Sequence, residues 1–530
     1  MSISTSVIYV VLAIWAAKKL ASLLLFNAKR SPYPPGPKPL PLLGNIFDIP
    51  PNKFAQTYAD WGKKYDSPIL HAEALGNHLL ILNKREDAIE LLEQRAKIYS
   101  DRPQMPIIKL MGWEYNVALL SYGDEWRQHR RICQQNFNPQ ASLKYESIQM
   151  TKTHQFLQAL LKTPKDYDAH NNVLSIGLTM AMMYGYDIKS PHDPVIETAE
   201  AATILGGRLM APGGSLINVF PLLRHVPLWF PGAISRNAAE EVKRLTNEVV
   251  RIPTEFVKKS LADGTAVSSL VTDFYEKKYA GGGSDEEEFI IKNVAYTVYG
   301  GECIIVISRR SKDEHMYPLK AASDTTISAS GTFFHQMVLN PEIQKKAQAE
   351  LDRVLGTKRL PTLADRKSLP YIEAIYREVL RFKPPIPISV PHSVTTDDTF
   401  KGYFIPEGTT VFPNIWAMTH DEDVYPEPFA FKPERFFDEN GKLNNDDRVL
   451  AYGFGRRICV GKAIASSSLW LQIASVLACF TIDKAKDENG NEVEINNDYE
   501  ESALLVRKCK FDCEFNVRSP DFERLILESS

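Results

Sequence analysis

Apolar residues dominate the start of the chain: 7–17, then Lys18-Lys19, then 20–26. A full membrane span needs roughly 20 apolar residues, and 3–26 reaches that length if the two lysines snorkel to the interface. Lys29 and Arg30 follow, and no charge precedes Lys18; the positive-inside rule then places the bulk of the chain on the cytosolic side. A cleaved secretory signal is the competing reading, because the apolar core is short. The next segment argues against it: Pro32-Tyr33-Pro34-Pro35-Gly36-Pro37-Lys38-Pro39 is a stiff extended linker. Beyond it, 69–75 and 79–82 read as short strands about a turn at Gly76-Asn77, and helical periodicity dominates from about 84 to 380. Gly281-Gly282-Gly283 breaks that pattern, and Ser284 with Glu287 forms a capping box that starts a new helix. Strand patterns at 388–390, 399–405 and 409–412 follow, then a helix from Lys462 to about Phe480 and a last hairpin over 504–515. No internal repeat stands out. The pattern predicts one large, mainly helical domain with small sheets.

Composition narrows the class. Of 530 residues, 44% are hydrophobic and 24% charged, which suits a core with a wet surface, and the net charge of -3 argues against nucleic acid as a partner. Six cysteines (Cys133, Cys303, Cys459, Cys479, Cys509, Cys513) show no disulfide or zinc spacing, which suggests a reducing compartment. Cys509 and Cys513 are close enough in sequence to pair across a hairpin; free thiols are the preferred reading.

Candidate chemistry centres on Cys459, in Tyr452-Gly453-Phe454-Gly455-Arg456-Arg457-Ile458-Cys459-Val460-Gly461. A thiolate here can bind haem iron and push electron density onto it, which favours O–O cleavage. Glycines let the backbone approach a flat macrocycle, Arg457 can pair with a propionate, and Gly461 opens the following helix. A buried thiol in a Gly-rich turn is the plainer alternative. The stretch resembles the cysteine-ligand loop of cytochrome P450 enzymes, F-x-x-G-x-R-x-C-x-G, with Tyr452 where the family usually has Phe.

Further stretches carry the same resemblance, in family order, over about residues 30 to 518. Glu378-Val379-Leu380-Arg381 and Pro433-Glu434-Arg435-Phe436 are similar to the E-x-x-R and P-E-R-F elements, which implies a structural triad of Glu378, Arg381 and Arg435. Trp126 and Arg130 form W-x-x-x-R, implied to hydrogen-bond a haem propionate, with Arg127 and Arg131 facing outward toward an acidic redox partner. His392 resembles a further propionate contact. Ala321-Ala322-Ser323-Asp324-Thr325-Thr326 is similar to the oxygen-activation motif A-G-x-D-T-T, with Ala322 in place of Gly; Thr325 is implied as the hydroxyl beside bound dioxygen and Asp324 as the proton relay. An Asp-Thr-Thr helix start is the alternative for that triplet.

The resemblance implies a single cytochrome P450 fold, with haem b between the oxygen-activation helix and the cysteine-ligand loop. It also implies NADPH-cytochrome P450 reductase as electron donor, cytochrome b5 as an optional second donor, and an apolar small-molecule substrate. Localisation follows as the endoplasmic reticulum membrane, single-pass, with a cytosolic catalytic domain. The expected organisation is an anchor at 1–28, a hinge at 29–44, the catalytic domain at 45–520 and a tail at 521–530. Met111-Gly112-Trp113-Glu114-Tyr115 and Gly123-Asp124-Glu125-Trp126 look like fungal enzymes of the O-methylsterigmatocystin oxidoreductase-like group, which acts on polyketides, terpenoids, indoles and foreign aromatics. The stretches 103–122, 205–231, 386–391 and 501–506 match family regions that line the pocket, and their apolar content suits an apolar ligand.

One segment breaks the pattern. The helix begun at Ser284 is interrupted by 301–320, which carries Ser308-Arg309-Arg310-Ser311-Lys312-Asp313-Glu314-His315 and Pro318. Such charge cannot be buried beside a haem without large desolvation costs, and proline breaks a helix. Excision leaves the continuous run Tyr299-Gly300-Ala321-Ala322-Ser323-Asp324-Thr325-Thr326. Gly301-Glu302-Cys303 is what a G followed by the common donor sequence GTGAGTGC encodes, so a retained intron is one reading and an extruded surface loop the other. Three functions remain in view: a monooxygenase, a haem-binding protein inactivated by the insertion, and a haem-thiolate isomerase or dehydratase. The last has no use for the relay at Asp324 and Thr325.

Overall fold

The computed structural model describes residues 31–50, 52–188, 193–210, 214–300, 324–502 and 504–529. The apolar 3–26 stretch and the 301–320 insertion lie outside the described residues.

Helices make up most of the body, and a small sheet closes one side. Strands β1 (Ile69–Ala74) and β2 (Asn77–Leu82) pair antiparallel about the expected turn, where Leu75 and Gly76 take positive φ of 50° and 88°. Strand β2 then pairs in parallel with β6 (Thr410–Pro413), which pairs antiparallel with β3 (His392–Ser393). The expected strand at 399–405 is a hairpin: β4 (Asp398–Phe400) turns at Lys401-Gly402 into β5 (Tyr403–Ile405). The proline-rich linker lies along this side, with Pro35 O accepting from His71 N at 2.9 Å and Pro32 O from Phe404 N at 2.9 Å.

The helices that position the site are α1 (Asp124–Phe137), α2 (Tyr167–Tyr184), α3 (Pro194–Met210), α4 (Ile234–Ala262), α5 (Asp285–Gly300), α6 (Asp324–Leu339), α7 (Pro370–Phe382) and α8 (Lys462–Cys479). Helix α5 starts where the sequence predicts, with Glu287 N donating to Ser284 Oγ at 3.1 Å. Both α5 and α6 pack on α2. Helix α8 lies at the centre of a second core with α6, α7 and the Glu146–Lys162 helix; Trp470, Leu471, Ile473, Val476 and Leu477 are fully buried. Among the described residues α8 alone is long and apolar enough to cross a membrane, and 72% of it is buried inside the protein, as in a core helix.

Three expectations change. Residues 388–390 are not a strand: Pro384, Pro385 and Pro387 precede them, removing backbone donors, and the chain turns through Ser389 at φ 57°. Residues 504–515 are not one hairpin. Strand β9 (Leu505–Lys508) pairs back with β8 (Tyr499–Ser502), whereas β10 (Cys513–Val517) pairs with β7 (Phe480–Lys484), which directly follows α8. Buried Lys508 caps the connection by donating to Asn496 Oδ1 and Asp498 O at 2.8 and 2.9 Å. The stretch read as a tail forms a helix, Pro520–Glu528, whose Phe522 and Ile526 enter the core.

Candidate haem-thiolate site

The loop before α8 is shaped by two glycines. Gly453 and Gly455 take φ of 80° and 54°, and a Cβ on Gly455 would lie 2.1 Å from Leu92 O. Only glycine tolerates both demands. Cys459 N donates to Tyr452 O at 2.9 Å, and Gly461 caps the 18-residue α8. Cys459 therefore sits beside the positive end of a helix dipole, which favours a thiolate. Among the described residues the cysteines form no disulfide, and Cys459 alone is exposed. Burial pushes the thiols of Cys133, Cys479 and Cys513 up to about 12, so those three stay protonated. The Tyr452 ring keeps the packing expected of Phe, and its added hydroxyl meets Tyr376 Oη at 3.0 Å.

Beside the loop lies a cluster of cations. Arg457 is buried and donates to the carbonyls of Ser100 (2.7 Å), Val117 (3.2 Å) and Leu120 (2.7 Å). Its guanidinium lies 4.6 Å from the ring centroid of buried Trp126. Arg130, one turn beyond Trp126 on α1, donates to Ile458 O at 2.7 Å and so touches the residue before Cys459. His392 is buried with Nδ1 2.8 Å from Tyr99 O. The structure thus brings Arg457, Trp126 and Arg130 to the loop and seats His392 near Arg457, while Arg127 and Arg131 on the same helix are exposed.

One member escaped the sequence reading. Arg102 is 5% exposed and donates to the carbonyls of Ala118 (2.7 Å), Val390 (2.9 Å) and Pro391 (2.7 Å). Burial, then the charge of Arg457, hold its proton affinity well below the ordinary arginine value. Burial likewise lowers Arg457 to about 10, with Asp101 opposing and Arg130 reinforcing the shift. His392 is held neutral by burial first and by Arg102 next. Asp101 spends Oδ1 on Tyr122 N at 2.7 Å. Several cations thus share a desolvated space in which each depresses its neighbours, a setting that calls for anions. A haem, with two carboxylates and an iron that takes a thiolate, fits this donor set.

The triad residues meet elsewhere. On α7, Arg381 Nε and Nη2 grip Glu378 at 2.6 and 2.8 Å, and Arg435 Nε reaches the same carboxylate at 3.2 Å. Lys432 N adds a fourth donor at 2.8 Å. Glu378 is 0% exposed and Arg381 4%.

Asp324 opens α6 and half-buried Thr325 follows in its first turn. The helix is held there by Ser328 Oγ donating to Val506 O and Ser330 Oγ donating to Asn171 Oδ1 at 2.9 Å. Helix α5 is described as far as Gly300.

Comparison with known proteins identifies the family. The family model described as Cytochrome P450 matches residues 34–300 and 311–510. The cytochrome P450 monooxygenase ple1 of Rhodocybe pseudopiperita is 38% identical over 521 residues, 97% of this chain and 95% of its own. The cytochrome P450 monooxygenase 98 of Postia placenta is 37% identical, covering 94% and 93%. The cytochrome P450 monooxygenase claR of Ampulloclitocybe clavipes is 35% identical, covering 94% and 89%. With the thiol loop, the buried cations and the carboxylate triad all in place, the chain belongs to the cytochrome P450 family.

Proposed function

We propose that this cytochrome P450 monooxygenase inserts one oxygen atom from O2 into an apolar small molecule of the terpenoid, polyketide, steroid or polycyclic aromatic kind. Electrons come from NADPH through a separate reductase, since no dinucleotide fingerprint is evident in the sequence. The observation that carries the reading is Cys459, an exposed thiol at the head of α8 beside a buried cationic cluster. Cys459 holds the iron of haem b, and Arg457, Arg130, Arg102, Trp126 and His392 receive the propionate end. Bound haem supplies oxygen activation. Thr325 and Asp324, at the start of α6, deliver protons from the chain's side. The apolar segment at 3–26 anchors the protein in the endoplasmic reticulum membrane.

The insertion at 301–320 is read as a retained intron, and the family match is interrupted at 301–310, inside that segment. An inactive haem binder is the weaker reading, because the relatives are named as monooxygenases throughout.

Cys459→Ser is expected to abolish the thiolate-type band of the reduced carbon monoxide complex, because a neutral hydroxyl lacks the thiolate's electron donation. A retained band removes Cys459 as the ligand. Turnover with a fungal reductase across the four substrate classes tests the activity. Deletion of 301–320 is expected to raise product per NADPH. Thr325→Ala in that background is expected to raise peroxide per NADPH.

A further inference from the structure

Lys401 occupies the tip of the β4–β5 hairpin, where it and Gly402 take φ of 50° and 83°. Its side chain is 54% exposed, yet Nζ lies 2.5 Å from Oδ1 of Asp87, whose side chain is 2% exposed. Among the described ion pairs no other lysine as exposed holds a carboxylate so deeply buried: Lys277, Lys345 and Lys346 pair with acids that water reaches. The other carboxylate oxygen, Asp87 Oδ2, is buried without a hydrogen-bond partner among the described residues. A buried charge is held by its partner, and removing that partner strands it. Here the stranded charge would lie inside the protein, while the partner is open to chemistry from outside.

The pair joins the hairpin to a segment that backs the thiol loop. The helix Arg85–Ile89 carries Asp87 and runs into a π-helical turn, Glu90–Gln94, followed by Arg95. Arg95 Nη1 donates to Asp398 Oδ2 and Thr399 O of the same hairpin, both at 3.0 Å. Buried Phe400 packs with both cations, its ring centroid 5.5 Å from Lys401 Nζ and 5.2 Å from Arg95 Cζ. The hairpin thus clasps segment 85–95 at its two ends. From the middle of that segment, Glu93 Oε1 accepts from Gly455 N at 3.2 Å, and Leu92 O is the atom that a Cβ on Gly455 would strike. Gly455 lies four residues before Cys459 in the same loop.

We propose that Lys401 is an acylation site whose charge controls how firmly the protein holds haem. Acetyl transfer from an acetyl thioester forms the amide bond between Nζ and the acyl carbon and breaks the C–S bond. The ammonium gives up two protons, one to the departing thiolate and one to solvent. The charge and the ion-pair donor are both removed. Asp87 is then left buried and unpaired, segment 85–95 loosens from the hairpin, and the loop carrying Cys459 loses its backing. Lys401 is a positioning residue, acting through Asp87 and Gly455 and touching no reacting atom. The effect on haem rests on the haem-thiolate reading above.

The test uses the full-length holoprotein with acetyl-lysine installed at position 401 by nonsense suppression. Haem transfer to a scavenging apoglobin is expected to speed about tenfold, the effect of losing one hydrogen bond to a buried charge. Hydrogen exchange over 85–95 is expected to speed with it. Lys401→Gln should behave like the acetylated protein, and Lys401→Arg, which keeps the charge, like wild type. Asp87→Asn removes the stranded charge, so acetylation in that background is expected to add nothing. Should that variant not fold, the contrast between Lys401→Gln and Lys401→Arg decides. Peptide mass spectrometry of the protein from a fungal host is expected to find the acetyl group on Lys401, concentrated in haem-free chains. Its absence from Lys401 in haem-free and haem-loaded chains alike overturns the site. Wild-type haem loss with acetyl-lysine at 401, or an acceleration that survives Asp87→Asn, overturns the control. If the wild-type chain takes up no haem, the haem-thiolate reading fails, while urea unfolding of the apoprotein still reads the clasp, and unchanged stability on acetylation overturns it.

Discussion

Arg381 and Arg435 share one buried carboxylate, Glu378, whereas among the described residues Arg102, Arg457 and Arg130 have only backbone carbonyls as hydrogen-bond acceptors. Both groups are taken out of water, and desolvation penalises each. In the first, the carboxylate is built into α7 three residues from Arg381, so a counter-charge is in place as soon as the chain folds. In the second, carbonyl dipoles orient the guanidinia but cannot neutralise them, and the cations lower one another's proton affinity. A matched cluster is a structural brace. We propose that the unmatched one is a socket whose counter-charge arrives with the cofactor. The two differ in what their removal does, with or without haem.

The largest effect is expected from Arg381→Ala. It leaves Glu378 buried with only Arg435 and Lys432 N as donors among the described residues and strips donors from Thr419 O and Pro428 O. Breaking a buried pair of this kind costs about 3–5 kcal/mol. Apoprotein stability and holoprotein yield should fall together, as read by urea unfolding and by haem per chain. A variant with normal apoprotein stability would put the triad on the socket side of the comparison.

Arg457→Gln should divide the two properties. Glutamine keeps one donor for the carbonyls around it and removes the charge. Charged hydrogen bonds contribute about 1.5–3 kcal/mol, so haem transfer to a scavenging apoglobin is expected to speed roughly tenfold to a hundredfold. The apoprotein loses little, since one of several mutually repelling cations is gone. Equal haem retention alongside a collapse of apoprotein stability would make Arg457 a second brace.

Legibility in the sequence follows this contrast. Glu378 and Arg381 could be paired from their spacing on a helix, and Arg435 from its motif. Cys459, Arg457, Trp126 and Arg130 lie in runs that resemble family motifs. Arg102 does not: Asp101-Arg102-Pro103 reads as a surface turn, and its role depends on carbonyls at 118, 390 and 391 brought together only by the fold. Strands at the chain's end were visible as alternation, but their partners were not. Strand β10 chose β7 over β9 because α8 delivers β7 beside it, and local pattern carries no trace of that. Trp113 lies within a family-like stretch, yet the partners it packs on and bonds to, Gly206 and Thr246, are about a hundred residues away.

The smallest effect, and the sharpest on electrostatics, concerns His392. Its imidazole is neutral in the folded protein because burial disfavours the cation and Arg102 and Arg457 repel it, outweighing the Tyr99 carbonyl. The unfolded chain takes up that proton near pH 6.5. Below this value the unfolded state binds more protons than the native one, so stability is full above pH 6.5 and declines as pH falls. One such group contributes a slope of about 1.4 kcal/mol per pH unit. His392→Gln should remove that slope from urea unfolding of the apoprotein between about pH 6.5 and 5. His71 and His335, lowered to about 4, and His420, lowered to about 3, have the same sign but are common to both proteins and cancel in the difference. Bound haem changes the outcome: propionates offset Arg102 and Arg457, His392 regains proton affinity, and the difference between wild type and variant shrinks. If the two apoproteins respond alike to pH, His392 does not feel the unmatched cations. If the slope difference is as large in the holoprotein, the incoming carboxylates do not reach the cluster, and the distinction between socket and brace fails at its electrostatic root.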